Sequence, residues 1–243
     1  MQHPARPRND HTHTVEEISE VLTQELGNLS PNQRLATEQE LMRRFRVSRT
    51  TIRKVMDNLE SRLLIRRIQG SGTFVNRRTD YLVSTHSVSS IRSTAGAVGV
   101  RGDSRVLSIR SAPPPPHLLE LMDMREGKTT LVLNRLGFLD DEPALWTEDW
   151  IIPEVAQTLD VSLPVFRSVS DSLRAHGFSP RRARSLLTVE DIPQQALRDL
   201  QLRQPTLGHR LLTGISDADS GEPLILSETW FRLDSVRLVF DHT

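Results

Sequence analysis

Between Thr14 and Val75 the chain carries three helix starts and one glycine-tipped turn, at spacings that leave few folds open. Thr14-Val-Glu-Glu17 and Thr37-Glu-Gln-Glu40 each fit a capping box: the Thr hydroxyl accepts from the N3 amide, and the N3 glutamate reaches back to the cap amide. Behind the first box Val15, Ile18, Leu22, Leu26 and Leu29 recur at helical spacing, and Pro31 lies beyond the stop. Behind the second, Leu41, Met42 and Phe45 form the apolar side of a short helix. Three residues on, Ser48 can cap a third helix from Arg49 to about Arg62. Helix, tight turn, helix is the spacing of a helix-turn-helix. Leu64–Arg67, then Gln69-Gly-Ser-Gly72 and Thr73-Phe-Val75, read as a β-hairpin with a glycine tip.

At about 100° per residue the third helix divides cleanly. Ile52, Val55, Met56 and Leu59 fall on one side; Arg49, Thr50, Arg53, Lys54 and Asp57 fall on the other. The apolar side can pack on the first two helices. The other offers guanidiniums and hydroxyls close to a helix N-terminus, where free amides and the dipole favour phosphate. Arg suits a guanine edge or a phosphate because its fork donates two parallel hydrogen bonds. Ser48, Thr50 and Thr51 are short donors placed for phosphates near the helix start.

Charge fits this division of labour. The chain has 31 basic and 31 acidic residues, net zero, which taken whole argues against a polyanion partner. Residues 1–78 hold 14 basic and 9 acidic residues, net +5, and the remainder 17 and 22, net −5. Two segments with two jobs follow. With no cysteine, thiol catalysis, disulfides and cysteine-bound zinc or iron–sulfur are excluded. No apolar run approaches the ~18 residues of a membrane span, and no signal-peptide pattern opens the chain, so the expected compartment is the cytoplasm. His11 and His13 stand in a polar arm, and no metal or cofactor is expected.

The expected organisation is an arm at 1–13, a DNA-binding domain at 14–76, a linker at 77–88 and a second domain at 89–243. The second domain reads as α+β. Its strands are expected at Thr130–Leu139, Ala144–Ile152, Arg181–Glu190, Leu207–Asp217 and Leu224–Phe231, with turns at Asp140–Pro143 and Asp219–Pro223. Helices are expected at His117–Met124, Val169–His176 and Pro193–Leu202, and Pro113–Pro116 as a stiff extended spacer. Side chains alternate along a strand: Arg135 shares a face with Leu131 and Leu133, Glu148 with Trp146 and Trp150, Glu228 with Leu224, Leu226 and Trp230. A charge among apolar neighbours is paired, ligand-facing or at a solvent edge. With all three turned inward, a polar pocket in an apolar sheet is expected.

Leu35-Ala-Thr-Glu-Gln-Glu-Leu41, Val47-Ser-Arg-Thr-Thr-Ile-Arg53, Leu59-Glu60, Leu64-Ile65 and Gly70-Ser-Gly-Thr-Phe-Val75 resemble the winged helix-turn-helix of GntR-type bacterial transcription regulators. The resemblance implies a homodimer, each recognition helix in a major groove and each wing by the minor groove. Its implied DNA-binding residues are Thr37, Gln39, Ser48, Arg49, Thr50, Thr51, Arg53, Lys54, Gly70, Ser71 and Gly72. Gln39 stands where many members carry an Arg. The rest of the chain, through Leu131–Leu136, Glu142-Pro143, Thr147–Pro153, Ser172-Leu173, Asp219–Pro223 and Ser227–Arg232, resembles the UTRA effector domain of the HutC subfamily, chorismate-lyase-like in fold with an antiparallel sheet. The implied effector-binding residues are Arg135, Glu148, Ser170, Glu228, and Arg184 or Arg182, with Arg184 preferred. Gly137 stands in place of the second Arg of an Arg-x-Arg. Phosphorylated or phosphonate metabolites are the effectors common in that family, with amino acids and sugars as alternatives.

The function that follows is a sequence-specific transcription regulator, a repressor whose operator affinity a small molecule controls; an activator is the other sign of the same device. A lyase-like enzyme is the alternative class. Against it, no His stands beside an inward Ser, and His176 and His209 fall at a helix end and on a strand.

Overall fold

A computed structural model describes residues 13–76, 78–84, 88, 90–119, 129–157 and 168–241. The chain divides into two compact units, Met1–Arg77 and Arg78–Thr243. Except for His13, the expected arm lies outside the described residues.

The first unit consists of α1 (Val15–Gly27), α2 (Glu38–Phe45), α3 (Arg49–Ser61), β1 (Ile65–Ile68) and β2 (Gly72–Val75). Each helix starts where its cap stands. Thr14 and Thr37 close reciprocal capping boxes, and Ser48 accepts from the Thr51 amide, satisfying donors that a first helical turn leaves open. The α2–α3 turn is tight because Arg46 adopts the left-handed conformation, φ 55°. Ile18, Leu22, Leu41, Ile52 and Leu59 meet Ile65 and Val75 of the hairpin in one core. Burying each large aliphatic stabilises by roughly 1.5–3 kcal/mol, so the apolar side of α3 turns in and its basic side is left to solvent. β1 and β2 pair antiparallel, and the turn needs its glycines: Gly70 and Gly72 have φ of 78° and 123°. A third edge joins this hairpin, unforeseen in the sequence. The Val75 amide donates to the Gln33 carbonyl and the Leu35 amide to the Thr73 carbonyl, both at 2.8 Å.

The second unit contains β3 (Thr79–Ser84), α4 (Ile91–Gly96), β4 (Gly102–Ala112), α5 (Pro116–Leu119), β5 (Thr130–Leu139), β6 (Glu142–Ile151), α6 (Val169–Ala175), β7 (Pro180–Asp191), α7 (Gln194–Asp199), β8 (Leu207–Asp217), β9 (Pro223–Arg232) and β10 (Val236–Asp241). Six strands form one sheet in the order β4-β5-β6-β9-β8-β7, antiparallel throughout. β3 and β10 form a separate parallel pair. Residues 77–88, expected as a linker, therefore contain a strand, and its partner lies at the far end of the chain. β4 also went unforeseen: it is an edge strand exposed over most of its length, so no clean alternation marks it. Pro116, expected in a spacer, opens α5, as its fixed φ allows at a first turn. The rest of the helix expected at His117–Met124 lies, from residue 120, outside the described residues.

Alternation gives the sheet two distinct faces. On one, Leu133, Ile151, Ile215 and Ile225 pack with Val169 and Leu173 of α6. On the other, Leu136, Trp146 and Trp230 pack with Ala196 and Leu197 of α7, and Val132, Trp150 and Leu226 with Leu118 of α5. The Trp146 indole also donates to Asp199 at 3.0 Å.

Candidate functional site

In the first unit the expected contact residues form a surface around the start of α3. Arg49, Thr50, Arg53 and Lys54 are exposed, while Ile52, Val55 and Met56 are buried behind them. The Ser48 and Thr51 hydroxyls lie 2.9 Å apart, and Ser48 is engaged as the helix cap. Thr37 is likewise a cap, with its hydroxyl 2.8 Å from Glu40. Gln39 is exposed, and its carbonyl accepts from Arg43 Nε at 3.3 Å. Arg49 Nε lies 3.5 Å from Glu38, but its side chain remains 75% exposed, so the carboxylate steadies it without occupying it. Arg67 of the hairpin braces α3 through Asp57 at 2.7 Å and Glu60 at 3.0 Å. Gly70 and Ser71 are exposed at the turn and Gly72 is half-buried.

In the second unit a cleft with about 730 Å³ of empty space, its open mouth included, lies on the α6 face of the sheet. Arg135 and Arg182 line it, with Ser168 and Ser170 at the start of α6 and a floor of Thr147, Thr213, Ser227 and Thr229. Arg135 donates from Nε and Nη2 to Asp149 Oδ2 at 2.9 and 2.6 Å. The Asp149 side chain is 2% exposed and that of Arg135 20%, so the pair is held rigid and shielded from water. Arg182 Nη1 donates to the Ser84 carbonyl at 3.0 Å. Burial lowers the Arg182 pKa, and the neighbouring Tyr81 opposes that shift. Burial raises the Tyr81 phenol, partly offset by the positive charges of Arg182 and Arg135. Hydroxyls pair around the cleft: Ser168 with Ser170 at 3.1 Å and Thr147 with Thr229 at 3.2 Å. Two guanidiniums, of Arg135 and Arg182, face hydroxyls across a hollow. That arrangement can hold a small polar molecule carrying an anionic group.

Of the expected effector residues, the structure brings Arg135 and Ser170 to this cleft, and it does not bring Glu148, Glu228 or Arg184 there. Register is the reason. Arg135 stands opposite Thr147, and Thr147 opposite Thr229; one position along, Asn134 stands opposite Glu148, and Glu148 opposite Glu228. Both glutamates therefore project from the reverse face. There Arg110 meets Glu148 at 2.5 Å and Arg210 meets Glu228 at 2.6 Å. Burial raises the Glu148 pKa; Arg110 opposes this and Glu228 adds to it. On β7 the pairing register shifts between Arg182 and Arg184. Arg182 stays on the cleft face opposite Ile215, while Arg184 pairs with Gly214 and is exposed. A Cβ at Gly137 would come within 2.7 Å of the Leu145 side chain and 3.0 Å of that of Ile91, so a longer residue there would have to displace them. Asp149 and Tyr81 were not anticipated. Alternation from Thr147 would have found Asp149; nothing in the sequence marks Tyr81. Among the described residues no group of three His, Asp or Glu could hold a metal ion.

The model for bacterial regulatory proteins of the gntR family matches residues 14–75, and the UTRA domain model matches residues 97–237. The HTH-type transcriptional regulator GgaR of Escherichia coli strain K12 is 27% identical over 164 residues, covering 66% of this chain and 61% of that protein. YurK, an uncharacterized HTH-type transcriptional regulator of Bacillus subtilis strain 168, is 30% identical over 132 residues, 52% of this chain and 53% of its own length. The match thus spans about three fifths of GgaR and about half of YurK. Among solved structures, PhnF from Mycobacterium smegmatis superposes with a TM-score of 0.60 at 17% identity, covering 93% of this chain and 99% of its own. YydK from Bacillus subtilis gives 0.54 at 17% identity over 94% and 99%; at such identities the likeness is one of fold. With one model on the helix-turn-helix and hairpin and the other on the larger part of the chain, the protein belongs to the GntR family of bacterial regulatory proteins, among the members that carry a UTRA domain.

Proposed function

We propose that the protein is a sequence-specific DNA-binding transcription regulator, a repressor, whose hold on its operator is set by a small molecule in the UTRA cleft. The observation that carries this reading is the α3 surface: a capped helix whose apolar side is wholly buried and whose Arg49, Thr50, Arg53 and Lys54 are all exposed, followed by an exposed glycine turn. In this reading those side chains enter the major groove, Thr37, Gln39, Ser48 and Thr51 approach its phosphates, and Gly70–Gly72 lie by the minor groove. The relatives' names, transcriptional regulators among them, support regulation over catalysis.

The effector, in this reading, presents a phosphate or phosphonate to Arg182, Arg135, Ser168 and Ser170, with hydroxyls on the threonine floor. It acts by population shift: binding one arrangement of the chain better than another changes how two DNA-binding units fit two half-sites. That requires a homodimer. The edge strands support one, because β4 exposes Val106, Leu107 and Ile109 and β7 exposes Leu186, Leu187 and Val189, and long apolar edges of this kind are normally covered. Selection of duplexes from a random pool by the full chain tests the core of the reading. A recurrent, two-fold-related sequence is the expected result, and failure to enrich any sequence over the starting pool would refute it.

A further inference from the structure

We propose that Arg34 is an additional DNA-contacting residue, a phosphate ligand carried on the flank of the glycine-tipped hairpin. The proposal rests on the DNA-binding reading above and goes beyond it, since Arg34 lies in the α1–α2 connection, outside the helix-turn-helix and outside β1 and β2.

Backbone pairing builds the position. The bonds from Val75 N to Gln33 O and from Leu35 N to Thr73 O hold this segment alongside β2, with Arg34 directly opposite Phe74. Arg66 of β1 is opposite Phe74 from the other side. Directly opposed residues project to one face, so Arg34, Phe74 and Arg66 share a face. The alternate residues Ile65 and Val75 fill the core, and the Arg34 face looks away from it. The side chain then runs toward the turn. A Cβ on Gly72 would stand 3.0 Å from Arg34 Nε and 3.3 Å from Nη2, so the bare glycine lets the guanidinium lie against the hairpin backbone.

Several arginines around Arg34 are already engaged. Arg44 is paired with Glu25, Arg67 with Asp57 and Glu60, and Arg49 stands near Glu38. Arg66 donates to the Asn32 side chain at 2.8 Å. Arg34 is exposed and makes no ion pair among the described residues. It contributes least to lowering the Glu40 pKa, which the Thr37 backbone N–H lowers most. A planar fork laid along the turn, with no carboxylate to satisfy it, is suited to accept a phosphodiester in two parallel hydrogen bonds. Having one face already packed, it gives up less side-chain freedom on binding than a free arginine would.

Anisotropy titrations of the full chain against a duplex enriched by the wild type, and against a shuffled duplex, test this at several KCl concentrations. Arg34→Ala is expected to weaken both duplexes by a similar factor, roughly tenfold at about 0.15 M salt, and to reduce the slope of log K against log salt by about 1. Arg34→Lys should keep the slope and recover only part of the affinity. If Arg34→Ala binds as the wild type does while Arg53→Ala loses binding, the proposal is overturned and the DNA-binding reading stands. A loss confined to the enriched duplex would overturn the phosphate assignment in favour of a base contact. A wild-type chain that enriches no duplex would overturn both readings.

Discussion

On one face of the six-stranded sheet Arg135 grips Asp149; on the other, one residue back along β6, Arg110 meets Glu148. Both are arginine–carboxylate pairs of short separation. The first is sealed, with Asp149 2% exposed, and it stands beside an open cleft; the second has an arginine 48% exposed. In the sealed pair the carboxylate has given up its water and depends on the arginine. In the open pair solvent screens the attraction. The Arg135–Asp149 contacts use Nε and Nη2 and leave Nη1 outside the pair, which in the proposed reading is a donor for the effector. Burial of the carboxylate, more than the residue types, separates the two pairs.

The largest expected effect breaks the sealed pair. Asp149→Ala should destabilise the chain by about 3–5 kcal/mol in urea unfolding, while Arg110→Ala should cost at most about 1 kcal/mol. Equal losses would erase the distinction between the faces. Replacing both sealed partners, Arg135→Met with Asp149→Leu, should return most of that stability yet abolish any thermal shift induced by ligands. The cleft assignment is sharpened on β7. In a thermal-shift screen of the full chain with sugar phosphates and phosphonates, a stabilising compound should lose its effect in Arg182→Ala and keep it in Arg184→Ala; the reverse pattern would move the site to the other face.

The smallest effect is in pH. Burial raises the Glu148 pKa above its ordinary 4.5, so the folded chain binds that proton more tightly than the unfolded chain does. Its contribution to stability therefore falls as pH rises from about 4.5 through the raised value. Asp217 has the opposite sign. The Ser179 amide, at 2.7 Å, holds its pKa below 3.8, and that stability is lost as pH falls through the lowered value. Glu148→Gln should flatten the first dependence and leave the second, as unfolding midpoints measured across pH would report.

These contrasts also explain what could be read before the fold was known. The first unit is specified locally: Thr14, Thr37 and Ser48 each accept from the amide three residues on, and the period of Ile52, Val55, Met56 and Leu59 names the buried side of α3. β5 and β8 were legible end to end because their apolar runs are bounded by turn residues. The cleft was not, because its geometry depends on which residue of β5 faces which of β6 and β9. Alternation within each strand was sound for Arg135, Glu148 and Glu228; cross-strand register then put the first on one face and the other two on the reverse. The β7 register shift moved Arg184 off the cleft face in the same way. β3 was invisible because its partner, β10, is more than 150 residues away in the sequence.

The most direct test of the account is the ratio of affinities of the full chain for an enriched duplex and for a shuffled one at about 0.15 M salt. A ratio of 10³ or more is expected, as is typical of specific regulators. Arg53→Ala is expected to cut that ratio by roughly tenfold or more while unfolding stability is retained, because the residue is exposed. Equal affinity for both duplexes, or an unchanged ratio in Arg53→Ala, would contradict the account.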